Sequence, residues 1–221
     1  MTPIKAIIFD KDGTLQDTEK VFMQAWKLAA DEFGVPDIEK NVRTWTGLNV
    51  PTIAARWAEQ YPDVPFDVFH PRQQALIREL LAQNIPVMPG AYELLTYLNQ
   101  NGYLVGMATS TPRDKAMEHL ERTDMVKYFH PDAIITGDMI PNGKPAPDIF
   151  LKAAERLGVD PAACVGVEDS PNGVRAIHAA GMRAVMIPDL VEPTPDVEAL
   201  LWRKCEHLLD LIPWLEEGYH K

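Results

Sequence analysis

Two hydrophobic rhythms alternate along this chain. Short, nearly continuous apolar runs at 4–9 (IKAIIF), 103–109 (YLVGMAT), 133–136 (AIIT), 163–167 (ACVGV) and 183–187 (RAVMI) read as strands covered on both faces. Segments with helical spacing separate the later runs, at 90–102, 112–123, 145–158 and 170–181. Pro112 suits a first helical turn, and Gly102, Gly158 and Gly181 stand where a helix C-terminus favours glycine. Strand–helix alternation of this kind predicts an α/β fold, a doubly wound parallel sheet with right-handed crossovers.

The first connection breaks that rhythm. From Asp10 to Gly90 no convincing strand occurs, and helical patterns fill 18–34, 50–61 and 69–84. A structureless loop of that length is implausible inside a compact domain, so the stretch reads as an inserted all-helical subdomain. Its joints fall near Thr14–Thr18 and in the breaker-rich NIPVMPG of 84–90. Residues 1–16 and 85–221 are then the α/β core, and 17–84 the helical insert.

In such sheets ligands bind beyond the carboxyl ends of the strands, where the strand order switches. The residues at those ends are chemically pointed. Asp10, Asp12, Gly13 and Thr14 follow the first strand, Thr109 and Ser110 end the second, Lys144 follows the third, and Glu168 and Asp169 end the fourth. Several carboxylates on one rim repel each other unless a cation joins them. Mg²⁺ fits, because it takes a few carboxylates and completes its shell with water and phosphate oxygen. Lys144 adds a second positive charge, and Thr109 and Ser110 add donors suited to a phosphoryl group.

Residues i and i+2 of a strand end can face the same side, which divides the labour between Asp10 and Asp12. Held by metal and lysine, Asp10 is expected to keep a low pKa and act as an ionised nucleophile. Asp12 is placed to protonate the leaving oxygen and later to take a proton from water. A calcium-loop reading of the same acids fails, because it wants Gly and Glu where the chain has Leu15 and Val21.

Composition narrows the choice mainly by exclusion. The chain has 221 residues, 46% hydrophobic and 24% charged, ordinary for a globular protein of one large or two modest domains. A net charge of −11 without a basic cluster argues against nucleic acid or an anionic membrane as partner. Cys164 and Cys205 have no Cys or His neighbour at metal spacing, so neither a disulfide framework nor a zinc site is expected. With no spanning apolar run and no leader-like start, a cytoplasmic location is the default expectation. The tryptophans read as packing, although Trp45, in a loop-like RTWTG, is a possible substrate contact.

FDKDGT (9–14), ATST (108–111), GKPAPD (143–148) and GVEDSPNG (166–173), in that order, resemble the haloacid dehalogenase superfamily. The match is to the branch of β-phosphoglucomutase and the sugar-phosphate phosphatases. The resemblance implies Asp10 as nucleophile, Asp12 as acid/base, Thr109 with Ser110 as phosphate binders and Lys144 as charge-balancing lysine. It also implies Mg²⁺ held by Asp10, Asp12 and Asp169, with Glu168 as a further ligand, and a helical cap that selects a small phosphorylated metabolite. Two departures bear on the reaction. Phe22 stands where mutase relatives carry a cap histidine, and Val50, after Gly47, stands where they carry an arginine for a second phosphate. Both departures favour water as acceptor, hence a phosphatase, with a phosphomutase as the alternative. A response-regulator receiver lacks such an insert, and a dehalogenase needs no metal, which leaves Asp12 and Asp169 unexplained.

Overall fold

The computed structural model describes residues 2–45, 50–189 and 191–216, so Gly47 lies outside the described residues. The chain divides into two compact units. One comprises the residues up to Gln16 and from Val87 onward, and the other Asp17–Pro86.

The first unit is built on six parallel strands: β1 (Ala6–Phe9), β2 (Leu104–Thr109), β3 (Ile134–Thr136), β4 (Cys164–Glu168), β5 (Arg183–Met186) and β6 (Leu201–Lys204). Their order is β3-β2-β1-β4-β5-β6. Five lie on the apolar runs of the sequence. The sixth, LWRK, has no such run, because it pairs only with β5 at the sheet edge and none of its residues is fully buried.

The pleat sends alternate side chains to opposite faces. Ile7, Phe9, Val105, Met107, Val165 and Val167 share one core with the leucines of α5 (Ala91–Gln100), Leu120 of α6 (Arg113–Arg122), and Leu211 and Leu215 of α10 (Leu211–Glu216). Ala6, Ile8, Ala108, Ile135 and Cys164 share the other with Ile149, Phe150 and Ala153 of α7 (Asp148–Leu157) and Val174 and Ile177 of α8 (Pro171–Ala179). A short α9 (Pro195–Glu198) precedes β6. Both faces are therefore covered, which is why the strands read as unbroken apolar runs.

The chain steps from β1 outward through β2 to β3, then returns to β4 on the other side of β1. That reversal is the switch point at which such sheets bind ligands. Phe9 is level with both Met107 and Val167, so the chain leaves β1 at Asp10 beside Glu168, the last residue of β4.

The second unit consists of α1 (Thr18–Phe33), α2 (Ile38–Trp45), α3 (Val50–Gln60) and α4 (Phe66–Gln83). Helix α2 corrects the loop-like reading of Trp45. This residue ends the helix and is buried at 2% exposure among Trp26, Trp57 and Tyr61, so packing explains it. Trp57 is fully buried, its ring 4.1 Å from that of Phe69 and its indole N–H donating to Val64 O at 2.6 Å. Among the described residues no helix is long and apolar enough to cross a membrane.

Candidate active site

The carboxyl ends of β1 and β4 bring acids together because the register leaves Asp10 and Glu168 adjacent. Asp10, Glu168 and Asp169 each present a carboxylate oxygen, and these oxygens lie within 4.8 Å of one another. Asp10 and Glu168 are buried and Asp169 half-buried. Three hard oxygen donors at this spacing suit Mg²⁺ better than a soft metal.

Lys144 enters from the segment after β3. Its Nζ donates to Asp10 Oδ1 and, at 2.7 Å, to Glu168 Oε1, and it lies 5.2 Å from the centre of the Phe150 ring. Burial opposes the lysine's charge, but Asp10 and Glu168 outweigh it and push its pKa upward. Asp10 is pushed up to about 7, first by burial and then by the charges of Glu168 and Asp12, against the pull of Lys144. One ammonium against several carboxylates therefore does not by itself hold Asp10 in the low range expected of it with lysine and metal together. A divalent cation among Asp10, Glu168 and Asp169 would supply the missing positive charge, and the three carboxylate oxygens fit one.

Glu168 is fixed from both sides. Its Oε1 takes Lys144, and its Oε2 accepts from Ser170 N at 2.7 Å and Ser170 Oγ at 2.8 Å. Ser170 also caps α8, accepting from Gly173 N at 3.2 Å. Its neighbour Asp169 accepts from Thr14 Oγ1 at 3.3 Å. Gly13 sits at φ 77°, and a Cβ there would lie 2.4 Å from Asp169 Oδ2. The turn after β1 needs glycine both for its left-handed backbone and for this close approach.

Asp12, which the resemblance counts among the metal ligands, is not one of the three clustered acids; its carboxylate is engaged elsewhere. Its Oδ1 accepts from Lys11 Nζ at 2.6 Å, and its Oδ2 from Thr111 Oγ1 at 2.6 Å and Thr109 Oγ1 at 3.4 Å. Thr109 Oγ1 in turn accepts from Thr111 N at 3.1 Å. Ser110 is exposed, and its backbone carbonyl is closely approached by Gly137, where a Cβ would lie 2.6 Å away.

The structure therefore gathers Asp10, Lys144, Glu168 and Asp169 into one cluster and sets Asp12 with Thr109 beside it. Sequence reasoning placed Thr14 at the strand end without giving it a partner, and passed over Lys11, Thr111 and Ser170. Thr111 and Ser170 stand inside the quoted motifs and were within reach of it. Lys11, a cation between two acids, gave no sign that it was buried.

The carboxylate–lysine cluster stands at the switch point of a doubly wound sheet, and similarity to known proteins makes the class that of a hydrolase. The haloacid dehalogenase-like hydrolase family matches residues 4–181, and the chain belongs to it. Among its relatives, a Thermotoga maritima phosphorylated carbohydrates phosphatase is 35% identical over 90% of each chain. A Bacillus subtilis β-phosphoglucomutase is 33% identical over 82% of each. A family hydrolase from Deinococcus radiodurans, solved with bound phosphate and sodium, superposes with a TM-score of 0.83 at 25% identity, covering 100% of this chain and 99% of that one.

Proposed function

We propose that this enzyme is a Mg²⁺-dependent phosphatase that releases inorganic phosphate from a small phosphorylated metabolite, a sugar phosphate by class, through an aspartyl-phosphate. The observation that carries the reading is the Lys144-bound cluster of Asp10, Glu168 and Asp169 next to the separately held Asp12. An ionised Asp10 attacks phosphorus and breaks the bond to the leaving oxygen, which takes a proton from Asp12. Asp12, now ionised, takes a proton from water as that water attacks the aspartyl-phosphate, returning free Asp10 and phosphate. Thr109, with Ser110 beside it, and Lys144 bind the phosphoryl oxygens. Asp10, Glu168 and Asp169 would hold Mg²⁺, which neutralises phosphate charge when bound.

The relatives include both a phosphatase and a mutase, and Phe22 favours the phosphatase. It packs with Val21, Leu81 and Ile85 in an apolar cluster of the helical unit, where mutase relatives place a histidine. A phenyl ring moves no proton, so nothing at that position helps pass a phosphoryl group to a second sugar hydroxyl. The helical unit serves as the cap that selects substrate.

Phosphate release from a panel of sugar and polyol phosphates, with Mg²⁺ and with chelator, tests the reading. Release that requires Mg²⁺ and is lost in Asp10→Asn is the expected result. Conversion of β-glucose 1-phosphate to glucose 6-phosphate without free phosphate would overturn it in favour of the mutase.

A further inference from the structure

Lys11 has no exposed surface at all. As the residue between Asp10 and Asp12 it starts out on the opposite side of the strand end from both. Its ammonium lies 3.3 Å from Gln16 Oε1 and 3.4 Å from His119 Nδ1, then reaches Asp12 Oδ1 at 2.6 Å. Gln16 is itself anchored, its amide donating to His119 O at 3.4 Å and Thr123 Oγ1 at 3.2 Å. His119 has its pKa lowered, first by burial and then by the charge of Lys11, which favours the neutral ring, and in the tautomer with Nδ1 unprotonated that nitrogen accepts from the ammonium.

Burying an ammonium costs several kcal/mol before pairing offsets it, and a methionine would fill this space without that cost. The arrangement therefore does more than fill the core. Asp12 is gripped at both oxygens, by Lys11 on one and Thr111 on the other. We propose that Lys11, seated on Gln16 and His119, is a positioning residue that fixes the Asp12 carboxylate for proton transfer to the leaving oxygen. The inference rests on the phosphatase reading, in which Asp12 is the acid/base. Lys11 touches neither substrate nor the acid cluster; it acts through Asp12.

The leaving group distinguishes positioning from mere structure. A sugar alkoxide needs a proton in order to leave, whereas the acetate of acetyl phosphate does not. kcat/KM, which reports steps up to the phosphoenzyme, is measured for both substrates in wild type and Lys11→Met, together with the Mg²⁺ concentration at half-maximal rate. The expected result is a loss of roughly 10- to 100-fold for the sugar phosphate and less than about threefold for acetyl phosphate, with the Mg²⁺ requirement unchanged. If Lys11→Met does not fold, the same contrast is read in Lys11→Gln, which keeps a polar side chain in the pocket. Equal losses on both substrates, or no loss, overturn the positioning role alone. A wild type that releases phosphate from neither substrate overturns the phosphatase reading along with it.

Discussion

A Cβ built on Gly173 would lie 1.8 Å from Glu168 Oε1, the oxygen that accepts from Lys144. Gly173 belongs to the first turn of α8, so the missing side chain is what allows the helix start and the buried acid to occupy neighbouring space. Gly173→Ala must push Glu168 aside, and with it one wall of the cation site. A displacement of about 1 Å in such a constellation costs on the order of 10²-fold in rate. The expected outcome is a kcat/KM loss of that size with a raised Mg²⁺ requirement, measured in a variant whose circular dichroism is unchanged. Unaltered Mg²⁺ dependence would show that Glu168 does not shape the site.

Lys144 contributes to stability as well as chemistry. Its side chain is 8% exposed between Asp10 and Glu168, and removing one partner of a buried ion pair leaves uncompensated charge. Lys144→Met should therefore destabilise the protein by about 3–5 kcal/mol in chelator. Added Mg²⁺ should recover part of that loss, because it neutralises the same acids and binds only the folded chain. Denaturant titrations with and without Mg²⁺ measure both effects. A loss that Mg²⁺ leaves unchanged would separate the lysine from the cation site.

What the sequence made legible follows from where each signal is stored. Strands covered on both faces must be apolar throughout, so β1 to β5 announce themselves, while β6 at the edge keeps Arg203 and Lys204 and does not. Asp10, Thr109, Lys144, Glu168 and Asp169 stand at strand ends or just beyond them, and the doubly wound topology alone brings them to one rim. The three-way division of Asp12, Glu168 and Ser170 was not legible, because it depends on rotamers: Asp12 turns to Lys11 and Thr111, and Glu168 to Lys144 and Ser170. Trp45 was misplaced for a related reason. Eight residues of helix with mixed polarity look like loop until the aromatic cluster they complete is known.

That cluster carries the helical unit's own prediction. Trp57 is fully buried, touches the rings of Trp26, Trp45, Tyr61, Phe66 and Phe69, and ties its N–H to Val64 O. Trp57→Ala should cost about 3–5 kcal/mol, the range for deleting a large buried aromatic. Trp57→Phe should cost less, since it keeps a ring and gives up the hydrogen bond. Urea denaturation followed by circular dichroism compares the two, and equal costs would mean that ring packing contributes little.

Asp10 works against the fold that holds it, and the sign can be worked out. Its pKa rises from an ordinary 3.8 to about 7 on folding, with burial as the leading cause. Below the lower value the carboxyl is protonated in both states and contributes nothing adverse. As pH climbs from there to about 7, the unfolded chain releases the proton while the folded chain retains it, and folded stability falls. Above about 7 the buried group is ionised at full cost. In chelator, Asp10→Asn should accordingly melt higher than wild type at pH 8, by at least about 2 °C. The difference should shrink steadily and vanish near pH 4. Saturating Mg²⁺ should erase it at pH 8 as well, because the cation favours the ionised carboxylate that the variant lacks. Melting curves at pH 4, 6 and 8, each with chelator and with Mg²⁺, test all three statements. A wild type that melts above Asp10→Asn in chelator at pH 8 would show that Lys144 offsets the burial of Asp10 without help from a metal.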